Sequence, residues 1–255
     1  MDSNKRIRII VDITKLIITI LVSCGLVTLI VLVTSSDPVN AFSSFFLGPF
    51  TSVRRIGNIV EAASPLMFTA LAVIMIFSAG QFSMISEGAF FIGTLGAMMI
   101  ATSVPLPAGI HPIVAILVAG AMGAAVALIP AVLKMKWQVS EVVTSLMLNY
   151  VVQFFAIYMV SYHFREISSS SLASIEFKDT SILPVIIRGT RIHLGIVLGV
   201  ILCIITYFLL YRTTFGMKLR TVGNNAKFAH YSGIKVTGIM VISQVIAGAL
   251  ADMGG

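Results

Sequence analysis

Long apolar runs separated by short polar breaks organise this sequence. The first run, Leu16 to Val33, follows Lys5, Arg6, Arg8 and Lys15 and is long enough to cross a hydrocarbon core of ~30 Å as a helix. It reads as a signal anchor. Its apolar stretch exceeds that of a cleaved signal peptide, and Thr34-Ser35-Ser36-Asp37-Pro38 offers no small-residue cleavage site. Ala41 to Glu61 is a mixed, partly aromatic segment placed outside. Leu66 to Ile85 and Gly88 to Val104 predict the second and third spans, joined to a fourth, Ile113 to Leu133, by a tight turn from Pro105 to Gly109. Val139 to Tyr162 is the fifth. Residues 163–192, with the Ser168 to Ser171 run, form an extracytoplasmic loop. Leu194 to Leu210 is the sixth span, and Thr237 to the end starts a seventh. The fold class expected is all-α: a polytopic membrane helix bundle of about seven spans, forming one transmembrane domain over residues 1–255.

Between the last two runs lies a polar interruption, residues 212–235. It carries Arg212, Lys218, Arg220, Lys227 and Lys235 and no acidic residue. Gly216, Gly223, Asn224, Asn225 and Gly233 are turn and cap residues, and they bracket a short helix from Ala226 to Tyr231. Gly223 is a candidate for a backbone conformation reserved for glycine. A basic, ordered loop of this kind suits the docking of a partner.

Composition agrees with the spans. Hydrophobic residues make up 58% of the chain and charged residues 11%, far from a soluble domain. The net charge of +7 does not point to nucleic acid, because the cations sit in interhelical loops instead of one continuous basic face. With the N-terminus cytoplasmic, eleven of the 17 Lys and Arg fall inside. The other six (Arg54, Arg55, Arg165, Lys178, Arg188 and Arg191) fall outside, accompanied by Asp37, Glu61, Glu166, Glu176 and Asp179. That bias supports the orientation. Both cysteines, Cys24 and Cys203, lie in apolar runs, so neither a disulfide framework nor a zinc site is indicated.

Polar residues inside the spans are the candidate functional groups, since such groups are costly in lipid. Glu141, Ser145, Asn149 and Gln153 recur every four residues in the fifth span. At ~100° per residue they drift ~40° per step and form one stripe climbing ~18 Å. Gln244, Gly248 and Asp252 make a similar stripe on the last span. Each stripe is either packing glue between helices or the wall of a wet pathway. The apolar part of the second span, Leu66 to Phe77, is only ~18 Å long, and Ser78-Ala79-Gly80-Gln81-Phe82-Ser83 follows. Residues 78–88 are therefore either a mid-membrane break of the kind that builds transport sites or an ordinary inner turn.

No Walker A, HExxH or GxSxG sequence occurs. His111, His163, His193 and His230 stand singly at span ends or in loops. No catalytic residue, metal ligand or cofactor is assigned.

Four blocks carry a resemblance. Phe82 to Gly88 is similar to a segment FNIGAEGQ, keeping Phe82, Glu87 and Gly88, and Pro105 to His111 is similar to the turn before a fourth span. Ser140 to Tyr150 matches NEVISTLMLNY, and Gly216 to Ile234 resembles G-x-x-LRAVGxNxxAAxYAGI. These are blocks of the permease subunits of bacterial ABC importers for nucleosides and simple sugars, within the wider ribose, galactose and branched-chain amino-acid permease group. Ser83, Ile85 and Ala89 replace the usual residues of the first block, and Asp252 stands where small residues are usual.

The resemblance implies a multi-pass subunit of the bacterial plasma membrane that forms the translocation pathway and binds no ATP itself. It implies pathway residues among Gln81, Phe82, Glu87, Asn149 and Gln153. The loop would couple to a cytoplasmic ATP-binding subunit through Gly216, Leu219, Arg220, Gly223, Asn225, Ala229, Tyr231 and Gly233. A second permease subunit, an extracytoplasmic solute-binding lipoprotein, a small-molecule solute and membrane lipid are the other partners expected, with no nucleic acid among them. Family members continue for several more helices, so the chain reads as a truncated or partial permease. Two other classes are weighed against this one. An ion-coupled secondary carrier would use Glu87, Glu141 or Asp252 as relay, and a membrane-embedded enzyme would need a convergent catalytic set.

Overall fold

A computed structural model describes residues 3–34, 37–166, 174–187 and 189–255. The Ser168 to Ser171 run, Arg188, and Ser35 and Ser36 lie outside the described residues. Every regular element among those described is helical, and six helices are long and apolar enough to cross a membrane. The chain divides into two compact units, Met1–Ile56 and Gly57–Gly255.

The first unit holds α1 (Ser3–Thr34) and α2 (Pro38–Phe46), then a 3-10 turn at Gly48–Phe50. From Ile13 to Val33 the apolar side chains of α1, all but the half-buried Val31, are exposed around its circumference. A helix satisfies its own backbone hydrogen bonds, so an apolar helix of this length is suited to lipid. Asp37 caps α2, accepting from the Asn40 amide, and Pro38 fills the first turn where no backbone N–H is needed. The Arg55 guanidinium closes the unit on the Gly48 carbonyl at 2.9 Å.

The second unit contains α3 (Val53–Ser78) from Gly57 on, α4 (Ile85–Ser103), α5 (Ile110–Trp137), α6 (Glu141–Tyr162) and α7 (Leu194–Arg212). After these come α8 (Thr214–Asn224), α9 (Ala226–Tyr231) and α10 (Val236–Asp252). The second span departs from expectation at both ends. It starts at Val53 instead of Leu66 and stops at Ser78 instead of Ile85. Asn58, Glu61 and Ser64 lower its hydropathy, and Pro65 resembles a helix start, yet the helix runs through it. The spans of α4, α5, α6 and α7 fall within a few residues of their predicted ends, α1 already begins at Ser3, and α9 occupies Ala226–Tyr231 as predicted. Helix α10, expected as a seventh span, has 17 residues and is shorter than the six. The turn before α5 bends at Gly109, with φ +93°.

Small residues set how closely the helices approach. A Cβ on Gly248 of α10 would lie 2.5 Å from Ala127 Cβ of α5 and still closer to the Gly123 carbonyl. Side-chain-free surfaces let backbones meet, which is how helices gain contact energy where lipid supplies no hydrophobic drive. One core cluster joins Met75 and Ile76 of α3, Ile85 of α4, Ala127 of α5 and Ala247 of α10. Leu219 and Val222 of α8 and Ala229 of α9 enter the same cluster. Complete burial of Leu219 stabilises by ~1.5–3 kcal/mol, so the polar interruption is fastened to the bundle.

Candidate functional site

Helix α3 ends at Ser78 and α4 begins at Ile85, and the chain between them is not helical. Gly80 turns it with φ +70°, a conformation glycine adopts without the Cβ penalty. Such a segment leaves backbone N–H and C=O groups in need of partners, and the polar stripe of α6 supplies them. Glu141 accepts from the Gln81 side chain and from the Phe82 amide, each at 3.3 Å. Ser145 Oγ accepts from the Met84 amide at 3.0 Å. Asn149 Oδ1 accepts from the Gly88 amide at 3.0 Å, while its Nδ2 donates to the Met84 carbonyl at 2.8 Å. From the opposite side, Ser243 of α10 donates to Gln81 Oε1 at 2.9 Å. Gln81, Glu141, Ser145, Asn149 and Ser243 are all buried. The period of four along α6 therefore matches a ladder of acceptors set against the break.

Beside the break lies a cavity of about 590 Å³ between α3 and α4, walled by Val73, Phe77, Phe90 and Phe91, with Thr69, Ser83, Ser86 and Glu87 as its polar residues. Among the five residues assigned to a pathway, Glu87 stands on this wall. Phe82 is exposed next to it and stacks on Phe77 at 5.3 Å between ring centroids. Gln81 and Asn149 are occupied in holding the break. Gln153 is partly buried on α6, one turn beyond Asn149.

The basic interruption is two capped helices. Thr213 Oγ1 accepts from the Gly216 amide to start α8, and Asn225 Oδ1 accepts from the Phe228 amide to start α9. Gly233, with φ +78°, ends α9 in the left-handed conformation expected of a C-terminal glycine. Arg220 bonds the Gly216 carbonyl and lies 4.8 Å from the centroid of the Tyr211 ring. Leu219 and Ala229 face inward with no exposure, whereas Tyr231 is 87% exposed. Met217, Lys218, Lys227 and Phe228 are exposed with it.

Gly223 corrects the sequence reading. It is helical, and its requirement is space: a Cβ there would strike the Ser78 carbonyl, and one on Gly80 would lie 2.9 Å from Gly223 Cα. Helix α8 itself went unforeseen, because Gly216 and Gly223 look like helix breakers. Both serve close approach, Gly216 against the carbonyls of Leu209 and Leu210.

Two further polar groups lie deep in α10. Gln244 and Asp252 are fully buried, and neither side chain has a hydrogen-bond partner among the described residues. Asp252 fits only because Gly93 of α4 and Gly123 of α5 have no side chains: a Cβ on Gly93 would lie 2.6 Å from Asp252 Cβ. Sequence reasoning placed Gly80 in the candidate break but missed its contact with Gly223, and it missed Ser243, since both signals lie in long-range packing. At the other end of the bundle His111 is fully buried, its Nδ1 2.8 Å from Thr180 Oγ1 and its Nε2 3.1 Å from the Ile100 carbonyl.

Residues 55–255 match the family described as branched-chain amino acid transport system / permease component. The guanosine ABC transporter permease protein NupP of Bacillus subtilis (strain 168) is 29% identical over 94% of this chain and 69% of its own length. The nucleoside ABC transporter permease protein NupB of Lactococcus lactis subsp. cremoris is 26% identical over 99% of this chain and 71% of its own. The glucose ABC transporter permease protein TsgB13 of Haloferax volcanii is 28% identical over 94% of this chain and 66% of its own, so the chain spans about two thirds of these relatives. No solved structure matches.

Proposed function

The chain belongs to the branched-chain amino acid transport system / permease component family, and on that premise we propose that it lines the translocation pathway of an ATP-driven importer for nucleosides or simple sugars. Members of this family are multi-pass plasma-membrane permeases and not enzymes, with ATP hydrolysis on a separate subunit. The observation that carries the proposal is the α8–α9 pair: two capped helices, basic and exposed on one side, buried on the other against the α3–α4 break. A mere connector between spans would not need a folded core contact of this kind.

In this reading residues 212–235 face the cytoplasm, the N-terminus lies on the same side, and residues 163–192 face outward. A cytoplasmic ATP-binding subunit docks on Met217, Lys218, Phe228 and Tyr231. A second permease subunit completes the pathway, and a solute-binding lipoprotein delivers from outside. The cavity between α3 and α4 suits a solute with a flat, apolar face and a polar edge. Phe77, Phe90 and Phe91 offer apolar contact, and Thr69 and Glu87 offer polar contact, the Ser83 and Ser86 hydroxyls being buried. The names of NupP and NupB favour a nucleoside, and that of TsgB13 a hexose.

The test is uptake of radiolabelled guanosine, uridine and glucose by cells expressing the chain with its candidate ATPase, second permease and lipoprotein. ATP-dependent uptake of any one supports the reading. No uptake of any of them with the full set assembled refutes it.

A further inference from the structure

We infer that the backbone contact between Gly80 and Gly223 is the junction through which movement of α8 reaches the solute cavity, with Glu141 as the positioning residue that keeps the junction in register. The inference rests on the permease reading above and adds the receiving element, which that reading leaves open.

Three observations meet at this point. First, α8 touches the break through main chain: a Cβ on Gly223 would strike the Ser78 carbonyl, and one on Gly80 would lie 2.9 Å from the Gly223 carbonyl and Cα. Contact without intervening side chains transmits displacement, since no rotamer can absorb it. Second, the break is held by a ladder of side-chain hydrogen bonds and not by a helix. Glu141 grips Phe82 and Gln81, Ser145 grips Met84, and Ser243 holds Gln81 from α10. Each bond of this kind is worth only ~1–3 kcal/mol net, so a modest stroke can exchange them one at a time. Third, the pushed segment leads directly into the cavity wall. Ser83 and Met84 of the break, and Ser86 and Glu87 of the first turn of α4, line the space between α3 and α4. A displacement of Ser78 to Gly80 therefore changes the shape and polarity of the cavity within one turn of chain.

The geometry assigns distinct tasks. Gly80 and Gly223 set the distance between the moving helix and the break. Glu141, 7% exposed at the start of α6, fixes the break against a helix that α8 does not push. Its two carboxylate oxygens bond two different groups of the break, so replacing one of them loosens Phe82 or Gln81 without removing bulk.

The experiment uses the assembled complex of this chain with its ATPase and second permease in proteoliposomes. Cys24→Ser and Cys203→Ser give a background into which Met84→Cys is introduced, Met84 being 43% exposed on the cavity wall. Labelling by a small hydrophilic maleimide is timed in nucleotide-free and ATP–vanadate-trapped states. The expected result is a change of about fivefold or more between the states. Adding Gly80→Ala should collapse that ratio toward one while the ATPase still co-purifies. Adding Glu141→Gln should raise the labelling rate in both states, a signature that a purely structural role would not give if the melting temperature is unchanged. Equal rates in the two states for a complex that transports solute would overturn the inference. So would a full nucleotide-dependent ratio in the Gly80→Ala variant. A complex lacking any ATP-dependent uptake overturns the transport reading itself, and with it the junction.

Discussion

Asn149 grips the first turn of helix α4 from 61 residues away, its Oδ1 accepting from the Gly88 amide at 3.0 Å. A helix starting inside a bundle has N–H groups with no intrahelical acceptor; Ser145 meets that of Met84, and Asn149 adds a second acceptor one turn on. Asn149→Leu removes that acceptor and the donor to Met84 together. The expected loss is ~1–3 kcal/mol, read as a lower melting temperature of the purified protein in detergent.

Gly88 is the other half of the relationship. A Cβ there would lie 2.5 Å from Asn149 Oδ1 and 3.0 Å from Asn149 Cα. Because the second atom is main chain, α4 and α6 must separate to admit it. Gly88→Ala should therefore destabilise by ~1–3 kcal/mol. Combining it with Asn149→Ala should restore little, and melting curves of the two single variants and the double variant decide this.

Legibility followed physical range. The spans of α1, α4, α5, α6 and α7 were readable because burial in lipid leaves a local signal in hydropathy. α3 was misplaced where local signals conflict: Glu61 and Ser64 look like loop, and Pro65 looks like a boundary, but they lie within one helix. The stripe Glu141, Ser145 and Asn149 was visible as a period of four, yet its task could not be read, since the groups it bonds lie about sixty residues away. Gly216 and Gly223 were recognised as special for the wrong reason, because a glycine needed for close approach and one needed for left-handed backbone look alike in sequence.

Gly233 shows the second kind. With φ +78° it ends α9 in left-handed backbone, where asparagine is tolerated and β-branched residues are not. Gly233→Asn should keep solute-stimulated ATPase activity near wild type. Gly233→Val should cost ~1–2 kcal/mol locally and lower that stimulation, measured on reconstituted complexes.

His111, in the first turn of α5, ties that helix to α4 and to the segment at Thr180. A carbonyl only accepts, so Nε2 donates to Ile100 O and Nδ1 accepts from the Thr180 hydroxyl. His111→Leu gives up two buried bonds of ~1 kcal/mol each. Trypsin cleavage at Lys178 should then accelerate about tenfold or more, followed by gel analysis of intact vesicles.

The side of the membrane reached by α8 and α9 is open to direct labelling. Asn224 is exposed at the end of α8. In a background without Cys24 and Cys203, Asn224→Cys should resist an impermeant maleimide in intact cells and react once they are permeabilised. Reaction from outside would invert the topology and remove the ATPase-docking role.

The lodging of Asp252 between Gly93 and Gly123 constrains how this sequence diverges. Its carboxylate fills the volume that side chains at 93 and 123 would take, so an aspartate could enter position 252 only after both of the others were glycine. The two glycines stay bound even without it: a Cβ on Gly93 would also lie 2.9 Å from Asp252 Cα, and one on Gly123 2.5 Å from the Gly248 carbonyl, both main chain. The dependence runs one way, since the aspartate needs both glycines while neither glycine depends on the aspartate.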